Sequence, residues 1–301
     1  MGNDPEKTPT IGFLGLGPMG LPMARALAEG GFEVVAWNRH PERVDDLART
    51  TDRAVVPASC PREVSERTDA VISMLPDLPQ LVDRLDGPDG LLAGWSRRTA
   101  PGQQPLLVVM STVSPVAVVE LGGRLAREGV RLVDAPVSGG PTGAHERTLS
   151  IMVGGAVEDV ESLTPGLRTM GSTVRHMGQL GAGSLTKACN QAVVAATLAG
   201  LGEALRLARA GGLDLDSVLE ILDGGLAGST ALRLKRERYL SDDFTGGGSC
   251  RNQLKDLGFV LESGRRYDLD QPVSRLTHQL YARLVEDGDG ELDHSAVLKA
   301  F

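Results

Sequence analysis

Residues Thr10–Arg39, TIGFLGLGPMGLPMARALAEGGFEVVAWNR, decide the fold. Ile11–Leu14 are apolar, short and open on a β-branched residue, the pattern of a parallel strand buried on both faces. Gly15-Leu16-Gly17-Pro18-Met19-Gly20 follows at once. A helical pattern then runs to Glu29, Gly30-Gly31 stops it, and Phe32–Trp37 return as a second strand. Each glycine has its own reason. Gly15 allows the tight turn, Gly17 lets backbone approach a pyrophosphate, and Gly20 lets the helix pack on the strand. The helix start presents free N–H groups and partial positive charge to phosphates. This βαβ unit predicts dinucleotide binding.

The end of the second strand selects the dinucleotide. An NAD site usually carries Asp or Glu there to bond the ribose hydroxyls. Here the chain reads Asn38-Arg39-His40-Pro41-Glu42-Arg43, with no carboxylate at the strand end. Arg39 is placed to meet a 2′-phosphate with its planar fork, with Arg43 assisting, so NADP(H) is favoured over NAD(H).

The 301 residues suffice for two domains. Hydrophobic content of 41% and charged content of 23% are ordinary for a soluble protein. A formal net charge of −8 argues against general nucleic-acid binding. Cys60, Cys189 and Cys250 fit neither a disulfide framework nor a metal motif, which points to reduced thiols in the cytoplasm. Met1–Pro9 reads as a loose tail without a signal peptide. Ala192–Ala210 is interrupted by Glu203, Arg206 and Arg209 and is too polar for a membrane span.

Further strands are expected at Ala54–Val56, Asp69–Leu75, Leu106–Met110, Arg131–Asp134, Leu149–Val153 and Thr173–Met177, with helices at Pro41–Arg49 and Pro61–Arg67. Gly87–Pro105 reads as loop. Ser114 and Pro115 read as N-cap and first residue of a helix to Glu128. Leu75 and Pro76 fall at the carboxyl edge of the sheet, where ligands of open α/β sheets bind. From Gly181 onward only helical patterns remain: a long helix to Ala210, then Asp214–Leu222, Ala231–Leu240, Gln253–Ser263 and Val273–Val285. The expected fold class is α/β, a Rossmann-type doubly wound sheet over 10–178, followed by an all-α domain over 179–301. A long helix connects them.

Residues 188–202 are mostly small and apolar, which predicts close packing on nearly all sides of that helix. Lys187, Asn190 and Gln191 share one face at its start. Three polar groups on an apolar helix imply a partner there, because a buried unpaired polar group costs about 1–3 kcal/mol. The alternative is a solvated first turn. Ser138-Gly139-Gly140 exposes consecutive backbone N–H groups suited to a carboxylate, or is a plain turn. Lys255-Asp256 alone reads as a surface pair.

Four blocks, in order, carry a resemblance: IGFLGLGPMGLPMARAL (11–27), MSTVSP (110–115), DAPVSGGPTGA (134–144) with LSIMVGG (149–155), and GAGSLTKACNQ (181–191). KDLGFVLE (255–262) is a weaker fifth. The chain resembles the β-hydroxyacid dehydrogenase family, which includes 3-hydroxyisobutyrate dehydrogenase and tartronate semialdehyde reductase. The resemblance implies that Lys187 is the catalytic acid/base and that Ser138, Gly139 and Gly140 hold a substrate carboxylate. It implies that Asn190, with Gln191 where many relatives have Asn, positions substrate. Gly15, Leu16, Gly17, Pro18, Met19, Gly20, Asn38, Arg39, Leu75, Pro76, Thr112 and Lys255 fall at cofactor positions. It also implies a homodimer or homotetramer. The family's frequent glycine before Thr-Leu is Arg147 here, and Ser96–Pro105 is longer than usual.

The expected function is interconversion of a small 3-hydroxy acid and its semialdehyde. Lys187 as an ammonium stabilises the oxyanion and donates a proton in reduction. A neutral amine, a state that desolvation between the domains favours, accepts the proton in oxidation. No residue cluster suggests a metal. The alternatives are an imine reductase-like enzyme of the same fold, whose relatives usually replace the lysine, and a non-catalytic nucleotide-binding reader.

Overall fold

The computed structural model describes residues 10–51, 55–98 and 104–301. The expected tail over 1–9, the start of the expected strand at Ala54 and five residues of the Ser96–Pro105 stretch lie outside these. The chain divides into two compact units, the first ending at Lys187 and the second spanning Ala188–Phe301.

The first unit opens with β1 (Thr10–Leu14), α1 (Gly20–Glu29), β2 (Glu33–Trp37), α2 (Glu42–Thr50) and β3 (Val55–Pro57). It continues through α3 (Pro61–Arg67), β4 (Ala70–Ser73), α4 (Leu78–Leu85), α5 (Leu91–Arg98) and β5 (Leu106–Val109). Then come α6 (Pro115–Arg127), β6 (Arg131–Asp134), β7 (Val137–Ser138), α7 (Gly140–His145), β8 (Ser150–Gly154), α8 (Val157–Met170) and β9 (Thr173–Gly178). The strands form one sheet in the order β3-β2-β1-β4-β5-β6-β8-β7, with β9 on β8. The strands from β3 to β6 are parallel, and β8 turns antiparallel to β6.

Alternation along each strand builds two cores. Phe13, Val34, Ala36, Ile72 and Val108 face one side with Met23, Leu27 and Leu167. Their neighbours Leu14, Val35, Val71, Leu107 and Val109 face the other with Val64, Leu81 and Leu121. Each large side chain so buried contributes about 1.5–3 kcal/mol, and helices on both faces are what a parallel sheet requires.

Two sequence expectations need correction here. The stretch 87–105 is not all loop: Leu91 and Trp95, one helical turn apart, are buried, and Trp95 donates Nε1–H to the Thr68 carbonyl at 3.2 Å. Two apolar anchors outweigh the Gly/Pro signals around them, and α5 forms. The stretch at Ser138, read from sequence as a turn or anion loop, begins in a short strand, β7, because Val137 and Ser138 pair with Ile151 and Ser150 of β8.

A 29-residue helix, α9 (Ala182–Ala210), runs across the boundary between the units. Within the second unit follow α10 (Leu215–Gly224), α11 (Thr230–Ser241), α12 (Cys250–Arg266) and α13 (Pro272–Glu286), then 3₁₀ turns at Asp289–Glu291 and His294–Ala300. Asp214, Ser229 and Ser249 cap α10, α11 and α12 by accepting from backbone N–H groups three residues on. The core gathers Leu198, Leu205, Leu219, Tyr239, Leu257, Tyr281 and Val297. The expected packing of 188–202 on nearly all sides is met on one face only: Ala195 and Leu198 are buried, whereas Val193 is 67% exposed. No described helix is long and apolar enough to cross a membrane.

Candidate active site

The site is built where the parallel strands stop. Leu14, Trp37, Ser73, Val109 and Asp134 lie in register across β1, β2, β4, β5 and β6. Every segment singled out in the first unit, apart from the start of α9, therefore leaves the same edge of the sheet. The strand order reverses between β1 and β4, the place where open α/β sheets form their ligand crevice.

The glycine loop has the shape a pyrophosphate needs. Gly15 takes φ +95°, and a Cβ there would lie 2.8 Å from the Met74 carbonyl oxygen. Gly17 faces open space, with no atom within 4 Å of a would-be Cβ. A Cβ on Gly20 would collide with the Gly15 carbonyl, so glycine there packs α1 against the loop as well as against Phe13. Met19 at the helix start makes no side-chain cap, and the first turn carries no acidic residue. The helix N-terminus therefore offers its N–H groups and partial positive charge to an anion, with open space in front of Gly17 to receive it.

Leu16 is the anchor of the loop. Its N–H donates to Asn38 Oδ1 at 2.9 Å, and its carbonyl accepts from Arg43 Nη1 at 2.9 Å. Asn38 also donates through Nδ2 to the His40 carbonyl at 3.0 Å. The residue that replaces the usual carboxylate thus braces the loop backbone, and Arg43 braces it from the other side of Leu16. Arg39 is exposed and makes no hydrogen bond or ion pair to the described residues. Leu75 is half-buried and Pro76 exposed at the end of β4, and the Leu75 carbonyl accepts from Ser111 Oγ. Thr112 follows Ser111 at the end of β5, half-buried. Pro18 is exposed and Met19 half-buried at the helix start.

Ser138 ends β7, half-buried, and Gly139 and Gly140 are exposed with φ +132° and +63°. Arg147 on the following turn adopts φ +59°, the left-handed region where glycine is preferred. Its guanidinium pairs with Glu29 at the last turn of α1, the end of that helix remote from the glycine loop.

Lys187 and Gln191 are each 8% exposed on α9, and Asn190 is half-buried. Asn190 Nδ2 donates to Gln191 Oε1 at 2.9 Å, and Gln191 Nε2 donates to Asp256 Oδ2 on α12 at 2.7 Å. Asp256 is 6% exposed, not the surface partner that its sequence neighbourhood suggests. Its Oδ1 lies 3.6 Å from Lys255 Nζ, whose ammonium also sits 5.6 Å from the Phe259 ring centroid. Asn190, Gln191, Asp256 and Lys255 form one polar chain within the second unit. The burial of Asp256 and its bond to Gln191 were missed by sequence reading, which left only the pair Lys255-Asp256 on a helix as a trace.

A second missed residue is Asp134, fully buried at the end of β6. Its Oδ1 accepts the Gly181 N–H at 2.8 Å and its Oδ2 the Ser184 N–H at 2.5 Å. Burial pushes its carboxyl above the usual carboxylate range, against the pull of those bonds.

Comparisons with known proteins agree with this architecture. Residues 10–178 match the family profile described as the NAD binding domain of 6-phosphogluconate dehydrogenase. Residues 181–301 match the one described as NAD-binding of NADP-dependent 3-hydroxyisobutyrate dehydrogenase. The chain is 34% identical over 302 residues to 2-(hydroxymethyl)glutarate dehydrogenase of Eubacterium barkeri, covering 98% of this chain and 96% of that protein. It is 33% identical over 290 residues to 2-hydroxy-3-oxopropionate reductase of Escherichia coli, covering 96% of each. Among solved structures, 3-hydroxyisobutyrate dehydrogenase of Mycobacterium tuberculosis with L-serine is similar with a TM-score of 0.82 and 29% identity, over 97% of this chain and 99% of that one.

A reversal of strand order beside a glycine loop, together with these matches, defines a nicotinamide-dinucleotide oxidoreductase. The chain belongs to the β-hydroxyacid dehydrogenase family, and its activity is that of an NAD(P)-dependent hydroxyacid dehydrogenase.

Proposed function

We propose that the protein interconverts a small 3-hydroxy acid and its semialdehyde, with Lys187 as the acid/base. The observation that carries this reading is Lys187 itself: a lysine only 8% exposed, on the face of α9 that also carries Asn190 and Gln191. Lysine is almost never so buried without a partner or a task.

The nicotinamide, when bound, supplies or accepts the hydride. The chain's own residues do the rest. The N–H groups of Gly139 and Gly140 and the Ser138 hydroxyl receive the substrate carboxylate, and Asn190 orients the substrate. As negative charge grows on the carbonyl oxygen, the Lys187 ammonium stabilises it and gives up a proton from Nζ. In oxidation the same nitrogen takes the alcohol proton. Gln191, with both amide atoms already bonded, holds Asn190 in place.

The residues fit NADP(H) better than NAD(H). The strand-end position is Asn38, an uncharged side chain whose Oδ1 accepts from the Leu16 N–H, and the exposed Arg39 is available to a 2′-phosphate. Leu75, Pro76, Thr112 and Lys255 line the cofactor. The exposed apolar side chains Val193, Leu207 and Ile221 of the second unit support a homodimer or a larger homo-oligomer, and three free cysteines suit a cytoplasmic protein.

The test is a panel of 3-oxo acids and semialdehydes assayed by NADPH and NADH oxidation. Turnover of at least one, faster with NADPH, is expected. Tight NADPH binding with no turnover of any carbonyl or imine would favour a nucleotide-binding reader instead.

A further inference from the structure

The buried carboxylate of Asp134 has no place in the proton transfer just described, yet the chain is shaped around it. Gly154 pairs with Asp134 across β8 and β6, and a Cβ on Gly154 would collide with Asp134 Oδ1. A Cβ on Gly183 would collide with the Met152 carbonyl and lie 2.7 Å from the Asp134 carbonyl oxygen. Two side chains are thus deleted so that β6, β8 and the start of α9 close on one carboxylate. Both its oxygens face backbone N–H groups, those of Gly181 and Ser184, which is the arrangement of an ionised acceptor.

Asp134 stands at a junction. Its main chain leads in four residues to Ser138, and its side chain holds the helix three residues before Lys187. A rotation of α9 about its axis by one residue would swing Lys187 through about 100°, since the helix turns once in 3.6 residues.

We infer that Asp134 is a positioning residue: by holding the Gly181 and Ser184 N–H groups it fixes the rotation of α9, and with it the Lys187 amine, relative to the Ser138–Gly140 loop. The inference rests on Lys187 being the acid/base. Asparagine at 134 keeps the shape but offers only one acceptor to two donors, so one bond is lost and an NH₂ faces an N–H.

The test compares wild type with Asp134→Asn in NADPH affinity, kcat, KM and amide exchange over residues 181–190. The expected result is unchanged NADPH affinity with exchange of the Gly181 and Ser184 amides faster by roughly tenfold, the equivalent of one charge-assisted bond. kcat should fall by at least a comparable factor, with KM moving less. Wild-type exchange in the variant, or a wild-type kcat, would overturn the inference.

Should Asp134→Asn fail to bind NADPH, Gly183→Ala keeps the carboxylate but pushes the helix start away, and the same fall in kcat is expected of it. In the wild type itself, the Gly181 and Ser184 amides must be among the slowest to exchange; rapid exchange there contradicts the clamp without any variant. A wild type inactive on every hydroxy acid would remove the reading of Lys187, while amide exchange still decides whether Asp134 holds the helix.

Discussion

Gln191 and Asp256, 65 residues apart, meet at 2.7 Å between Nε2 and Oδ2. That bond joins α9 to α12 inside the second unit. It turns two separate sequence signals, an Asn-Gln pair on one helix and a Lys-Asp pair on another, into one chain of polar groups. A bond to a buried carboxylate is worth about 1.5–3 kcal/mol. Asp256→Ala should therefore lower kcat/KM for the carbonyl substrate by about ten- to a hundredfold, at 1.4 kcal/mol per decade. Gln191→Ala should do the same, and the double variant should cost little more than either alone. A double-variant loss equal to the product of the two single losses would show that they act separately.

In the proposed reading Arg39 selects the dinucleotide. Arg39→Ala should weaken NADPH by about tenfold or more, the loss of one charge-assisted contact to phosphate, and leave NADH nearly unchanged. Fluorescence titration with both dinucleotides measures this, and equal weakening of the two would contradict the assignment.

Arg147 replaces a glycine frequent in the family, and its side chain reaches Glu29, not the glycine loop. Arg147→Gly removes a partly exposed ion pair worth about 0–1 kcal/mol and relieves a left-handed backbone that costs about 1–2 kcal/mol. Stability should change by about 1 kcal/mol or less, because the two effects oppose. KM for substrate should not move. A marked fall in KM would mean that the side chain does intrude on the pocket.

Asp293 ties the C-terminal segment to the second unit's core. Fully buried, it accepts from Lys235 Nζ at 2.7 Å and from Ser295 N–H and Oγ–H. Burial pushes its carboxyl up, but the charges of His294 and Lys235 and the Lys235 and Ser295 bonds bring it below the ordinary value of 3.8. A carboxylate lowered in the folded state adds stability that is complete above the unfolded value and is lost as pH falls through the folded one. Acid should therefore remove this contribution below about pH 4. Asp293→Ala strands the Lys235 ammonium and should cost about 3–5 kcal/mol at neutral pH, the usual cost of breaking a buried pair. Thermal melts from pH 7 to pH 3 should show the variant's deficit shrinking with acid. A constant deficit would refute the linkage.

The parts of this site that the sequence displays are those set by local chemistry. Gly15, Gly17 and Gly20 are legible because each answers to its own turn, approach or contact within one βαβ unit. Ser114 is legible as a cap because its partners, Val116 and Ala117, are two and three residues away. Asp134 and Asp256 are not legible in this way. Their partners lie 47 and more residues off, and nothing adjacent marks either carboxylate as buried. Helix α5 was hidden for a related reason: Leu91 and Trp95 make a short pattern whose weight comes from a tertiary pocket and from a bond to Thr68.

In the proposed reaction the amine of Lys187 carries the proton when hydride moves. The most direct test of that role is the rate of the chemical step in Lys187→Ala, measured by single turnover with NADPH prebound. NADPH should bind as in wild type while the step slows by about a hundred- to ten-thousandfold, the usual worth of a positioned acid/base. A step that keeps its wild-type rate would contradict that role.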